Sequence, residues 1–465
     1  MEKVLNINEK YYWGFFFIVS ALLIFFEVLI YKSFNISVFL ILFINLSLII
    51  FTIYIIYIKD LPTFLLFINI IPLLYFNDEF HYNLTWILIQ DIFIFAIIFI
   101  ALLKLFDRVQ YDKFNSSFKV PIILMFSYFM LSAINGYLHG YKILEIINEL
   151  YHYFYYLLAL IIGFVIDKRK NYLLLFLAIS LIVTLISIEY MVVFVTNNFF
   201  RVATFQSNLI LLIIAIVFSF LLFTKKYKFL LLAILTINIV GLIIVQSRSL
   251  WVSALLVLFI ILFYYLTGSK KSLLGRLILY GFMLLIPAIL FSGKFIGRGV
   301  SHLNGKEQLE QRAQSISNPG KDTSFLMRFE LDYYAVREFL KTPIWGTGLG
   351  SFVKYKILQE SHAKIYYLDS TWVYVLWKGG IIGFILFAWV FVMLLKGAWF
   401  IYRNSNEIKI KILGLGIFAA FIGFIVSSFF SANLIKYKYG VIIAIVISFV
   451  DFEKRNLLKL VDSKA

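Results

Sequence analysis

The sequence predicts an all-α polytopic membrane protein, and three observations carry that class. Of its 465 residues, 62% are hydrophobic and 14% charged, where a soluble domain runs nearer about 45–50% apolar and about 25% charged. Apolar runs of the roughly 20 residues that cross a bilayer as a helix recur along the whole chain. Lysine and arginine gather between alternate runs, as topology demands of a multi-pass protein.

About 12–14 transmembrane helices are expected. The runs fall near 11–31, 36–58, 61–76, 84–105, 120–138, 147–166, 172–196, 205–223, 229–246, 250–267 and 277–293, then near 370–395, 412–430 and 438–453. The first run is too long for a cleavable leader and lacks a small-residue cleavage site, so it reads as an anchor. Between the two groups hydropathy collapses. This divides the chain into 1–293 with eleven spans, a long loop at 294–369, and 370–465 with the last spans and a tail. The absence of cysteine excludes disulfides, a thiol nucleophile and a Cys-based metal site.

The net charge of +17 is explained by topology. With the N-terminus inside, the inner segments hold 24 of the 42 Lys and Arg, including Lys168, Arg169, Lys170, Lys225, Lys226 and Lys228. The short outer loops hold only Lys32, Lys142, Arg201, Arg248, Lys436 and Lys438. This bias predicts a cytoplasmic-membrane protein with both termini in the cytoplasm and the 294–369 loop facing outward. No nucleic-acid partner is needed to account for the charge.

The long loop has internal order. Leu326, Phe329, Tyr333, Val336 and Leu340 recur at helical spacing, so 324–341 reads as an amphipathic helix that Pro343 ends. Its apolar face either packs on the spans or lies in the membrane interface. Arg328 and Asp332, four apart, read as an ordinary i,i+4 pair, and Arg337 as a solvated residue. The stretch GTGLG at 346–350 follows a helix and a proline rather than a strand. It is therefore not a nucleotide loop but a tight backbone turn. Just before the next span stand His362 and Asp369, either plain loop residues or a candidate general base. Aromatic residues are so common here that none singles out a sugar-stacking platform.

The run GLIIVQSRSLWVSALL sets a permanent charge, Arg248, between two apolar stretches. It falls at an outer turn with Trp251 close behind, which suits an interfacial anchor. Arg201 and Arg328 are expected on the same side. Three arginines that converge repel one another unless an anion joins them, and the guanidinium fork matches a diphosphate. Glu27, Asp91 and Glu189 lie within apolar runs, where acids pair structurally or mark a substrate path; Glu189 is toward the outside.

Three stretches together carry a resemblance: VQSRSLWVSALL, RFELDYYAVREFLKTPIWGTGLGSF and DSTWVYVLWKGGIIGF. In their order, spacing and shared side they resemble the O-antigen ligase and polymerase superfamily, bacterial membrane enzymes that ligate or polymerise lipid-linked glycans. The resemblance implies a GT-C-like membrane fold and a metal-independent, inverting glycosyl transfer from an undecaprenyl-diphosphate-linked oligosaccharide, without a cofactor. It implies that Arg248 and Arg328, with Arg201 as a further outer arginine, bind the diphosphate, and that Asp369 or His362 takes the acceptor proton. Aligned on GGIIG, the His-Asn of the ligases falls on Asp369 and Ser370. That departure favours a polymerase building surface polysaccharide, with membrane lipid and a chain-length regulator as partners. An O-antigen ligase or a protein oligosaccharyltransferase shares the chemistry with another acceptor. A lipid-linked glycan flippase is the reading from another class. Against it, the chain has no clear internal repeat, and its conspicuous residues cluster on one face.

Overall fold

The computed structural model describes residues 116–196, 207–245, 247–268, 323–357, 361–435 and 437–462. The runs near 11–31, 36–58, 61–76, 84–105 and 277–293, the polar stretch before 323, and Arg201, Glu27 and Asp91 lie outside the described residues. Among the described residues, ten helices follow one another: α1 (Lys119–Leu138), α2 (Ile143–Val165), α3 (Arg169–Thr196), α4 (Ser207–Phe223), α5 (Lys228–Ile244), α6 (Arg248–Gly268), α7 (Thr323–Phe339), α8 (Thr371–Asn404), α9 (Ile408–Ser427) and α10 (Tyr437–Asp462). Six of them are long and apolar enough to cross a membrane, and α4 and α5 are shorter apolar helices. The chain is a multi-pass, all-α membrane protein.

One element differs from the all-α expectation. A short antiparallel hairpin, β1 (Val353–Ile357) and β2 (Ser361–Ile365), stands between α7 and α8. No turn signal such as Asn-Gly marks it in the sequence. The helix α8 also runs on to Asn404, well past the apolar run that announces it.

The helices alternate in direction, which sorts their ends into two groups. At one end Arg169 bonds both Glu453, at 2.6 Å, and Glu407, at 2.7 Å, tying α3 to α10 and to the start of α9. Moving away from that end, the Tyr264 ring of α6 meets Trp399 of α8 at 4.8 Å and Phe418 of α9 at 6.4 Å. Further along, Gly423 of α9 lies so close to Val257 that a Cβ there would stand 2.6 Å from it. At the far end the Thr371 amide donates to the Ser428 carbonyl at 2.9 Å. Arg248, the first residue of α6, and Asp369, just ahead of α8, therefore share that end.

The core of the bundle is α10. Ten consecutive residues, Val441–Val450, are buried on every side of the helix, as expected of a helix apolar all round. It packs along α2, where Gly440 lets the backbone approach Tyr155 and Ser448 bonds Tyr172 of α3.

The far end is organised by a break in α8. Gly380 adopts φ 63° and ψ −167°, a region open essentially to glycine, so the helix is interrupted within WKGG. The interruption strands carbonyls that no water in a bilayer would satisfy. The GTGLG turn supplies the partners. Thr347 N donates to Trp377 O at 3.0 Å and Gly348 N to Lys378 O at 3.1 Å, while the Tyr128 hydroxyl donates to Gly379 O at 2.7 Å. Gly346 and Gly348 also have positive φ, and a side chain on either would strike the backbone of α8 or α1.

Beneath the turn lies a buried ion pair. Lys378 Nζ reaches Glu149 Oε1 at 2.7 Å with both side chains fully buried. The same ammonium also donates to the Ser351 carbonyl, and Gly350 N donates to Glu149 Oε2 at 2.8 Å. One charge pair thus clamps α2, α8 and the turn. Removing one partner of such a pair leaves an unpaired buried charge. Lys378→Met alone is expected to cost about 3–5 kcal/mol, and Lys378→Met combined with Glu149→Leu to recover much of it. Thermal unfolding of the four proteins of this cycle in detergent measures the difference; equal stability of the single variant and the wild type would contradict the clamp.

Candidate active site

The helix α7 turns an unexpected face to the protein. The apolar stripe read from the sequence is largely uncovered: Leu326, Phe329, Tyr333 and Leu340 are exposed. The buried residue is Ala335, and Arg328 and Asp332 precede it at helical spacing on the same face. Of the two placements open to the stripe, packing on the spans is not the one found. The charged side of α7 faces the start of α8, and the apolar stripe faces away from it.

Arg328 does not close on its helical neighbour alone. Its Nε lies 2.6 Å from Asp369 Oδ2, with the two side chains 42% and 48% exposed. This ion pair joins the second resembling stretch to the third. It bridges α7 to the residue that precedes Ser370, whose hydroxyl accepts from Val373 N and caps α8. A pair this exposed is worth only about 0.2–1 kcal/mol. It orients the guanidinium without committing it.

Asp332 completes the cluster. Burial pushes its carboxyl up to about 7, and the Asp369 carboxylate adds to the rise against the opposing pull of Arg328. Two carboxylates around one guanidinium leave an excess negative charge, and a proton on Asp332 relieves it. The sequence reading took Asp332 only as an i,i+4 partner.

The remaining expected residues fall as follows. Arg248 opens α6 with its side chain partly exposed, and the Trp251 indole donates to Leu242 O at 3.1 Å, fixing the turn from α5. His362 lies on β2 opposite Lys356, seven residues before Asp369. Glu189 is an exposed residue on α3, two residues beyond Ser187, which makes the buried bond to Asn238 of α5. The structure joins Arg328 to Asp369; it places Arg248 at the same end, on a different helix. Among the described residues no group of three or more His, Asp or Glu gathers as a metal site.

Two positioning residues escaped the sequence reading, Glu149 and Lys378. Each has a signal: a lysine inside an apolar run before a glycine pair, and an acid one turn into a span. All five amides of GTGLG are spent inside the fold, on Thr342 O, Trp377 O, Lys378 O, Ser132 O and Glu149. None is left for a phosphate.

A bundle of membrane helices with a half-exposed Arg–Asp pair between α7 and the start of α8 defines a polytopic membrane protein with an ionic site at one end. Residues 231–388, from α5 to the middle of α8, match the family described as O-Antigen ligase. Over that segment, about a third of its length, the chain is similar to this family. It contains Arg248, Arg328, GTGLG and Asp369. No curated protein matches the chain.

Asp332 gives the site a pH signature. The folded state holds a proton near neutrality that the unfolded chain releases at its usual value of 3.8. The stability it contributes is present in full below 3.8 and lost as pH rises through about 7. Asp332→Asn cannot ionise, so it is expected to melt higher than wild type at about pH 8.5, with the gap closing toward about pH 5. A melting difference that does not change with pH would contradict the assignment.

Proposed function

We propose that the protein is a membrane glycosyltransferase that polymerises undecaprenyl-diphosphate-linked oligosaccharide repeats into surface polysaccharide, with its site on the outer face. The observation that carries this reading is the exchangeable Arg328–Asp369 pair. A diphosphate offers Arg328 a doubly hydrogen-bonded anion in place of the carboxylate. Asp369, once displaced, is a free base beside the reacting centre.

The step balances simply. An acceptor hydroxyl attacks the anomeric carbon of the donor sugar from the side opposite the diphosphate. A new C–O bond forms as the bond to the phosphate oxygen breaks. The hydroxyl proton passes to Asp369, and undecaprenyl diphosphate departs with the bonding electrons, its charge met by Arg328 and Arg248. Support for two arginines comes from the end of the bundle that they share. Arg201, outside the described residues, is proposed as a third, and Glu189 as a polar residue on the path to the site. A chain-length regulator is a proposed partner.

Arg328→Ala and Arg248→Ala are each expected to lower polymer formation by about 10²–10³-fold, with Arg→Lys at either site recovering little because Lys offers no fork. Asp369→Asn is expected to abolish it. Surface polysaccharide run on a gel at matched protein level reads all five. Loss of long chains with accumulation of single lipid-linked repeats identifies a polymerase. Sugar missing instead from lipid A or from protein identifies a ligase or an oligosaccharyltransferase. Normal ladders in both Arg248 variants make that residue an interfacial anchor.

A further inference from the structure

Exposure alternates along the strand of chain that leads into α8. Tyr367 is exposed, Leu368 buried, Asp369 exposed and Ser370 buried. Tyr367 and Asp369 therefore present to the same side, and two residues of chain cannot separate their Cα atoms by more than about 7 Å. The Tyr367 ring is held from behind. It lies parallel to the buried Tyr374 ring, at 6.1 Å and 6°, and the His152 ring of α2 stands edge-on to it at 5.9 Å. With this support 42% of Tyr367 remains exposed. A partly exposed aromatic ring, braced by two others and next to an ionic site, has the setting of a binding residue.

We propose that Tyr367 is the platform for the acceptor sugar. The C–H groups on one face of a pyranose lie against the electron-rich face of the ring, which leaves the sugar hydroxyls at its rim. The residue spacing is about one hexose unit, so one rim hydroxyl meets Asp369. Platform and base thus lie on one four-residue stretch whose far end is fixed by the Ser370 cap and the Thr371–Ser428 bond. Tyr374, Tyr366 and His152 orient or flank the platform and do not themselves touch the sugar. The proposal names the acceptor as a pyranose glycan, in contrast to a peptide or a lipid hydroxyl, and it rests on the glycosyl-transfer reading above.

The test uses full-length protein in lipid nanodiscs and, as the probe, free oligosaccharide released by mild acid from the cell's own surface polysaccharide. Saturation-transfer NMR is expected to show binding to wild type and to Tyr367→Trp, and a loss of about tenfold in affinity for Tyr367→Leu. In elongation assays the same Leu variant is expected to raise the KM for acceptor about tenfold and to leave the KM for donor unchanged. Nitration of the native protein needs no variant to fold: the oligosaccharide is expected to slow modification of Tyr367 and not of the exposed Tyr333. Unprotected Tyr367, or a Leu variant that binds and elongates as wild type does, overturns the platform. If instead the oligosaccharide protects Tyr367 while wild type makes no glycosidic bond from any lipid-linked donor, the platform stands and the transfer reading falls.

Discussion

The far end of the molecule depends on one constraint: a helix broken inside a membrane protein must find partners for the backbone groups it strands. Gly380 makes the break, and the carbonyls of Trp377, Lys378 and Gly379 are the debt it leaves. Each such carbonyl left unsatisfied in an apolar setting costs about 1–3 kcal/mol. The turn at 346–350 settles two of the three and Tyr128 the other. The turn must therefore sit where it does, and Lys378 and Glu149 secure it from below. Pro343 and the end of α7 are joined to this fixed point, since Ile381 N donates to Pro343 O. The helix that carries Arg328 thus hangs from the same break that begins two turns after Asp369.

This arrangement separates rigidity from exchange. The buried pair Lys378–Glu149 cannot be wetted and holds position. The half-exposed pair Arg328–Asp369 is weak enough to open. The two pairs have nearly the same length, and their surroundings set them apart more than their distances do. Asp332, raised by burial beside Arg328 and Asp369, lets that cluster carry one proton.

Much of the fold was legible. The helices α1 to α6 and α8 to α10 begin or end within a few residues of the apolar runs, because a bilayer imposes length and composition at once. The helix α7 was legible as a helix but not in its orientation. Periodicity finds an apolar stripe and cannot say whether protein or lipid covers it, and here Ala335 faces the protein while Phe329 does not. The β hairpin was missed although VKYKI alternates apolar and charged residues, because the run is short, SHAKI is largely polar and no turn signature joins them. Arg328 and Asp369 were both singled out on resemblance, yet their direct pairing depends on how α7 docks on α8. Lys378 and Glu149 were hidden by distance in sequence. Neither residue makes sense until the other is beside it.

The burial of Val441–Val450 on every side has a consequence for how the chain is made. In the finished protein these ten residues offer almost no surface to lipid. A segment synthesised after α2 and α3 must come to lie against both, chiefly α2. Until it arrives, α2 and α3 present an unfilled seam in which Tyr172 and Arg169 lack Ser448 and Glu453. The buried run of α10 is thus the piece that completes the seam between α2 and α3.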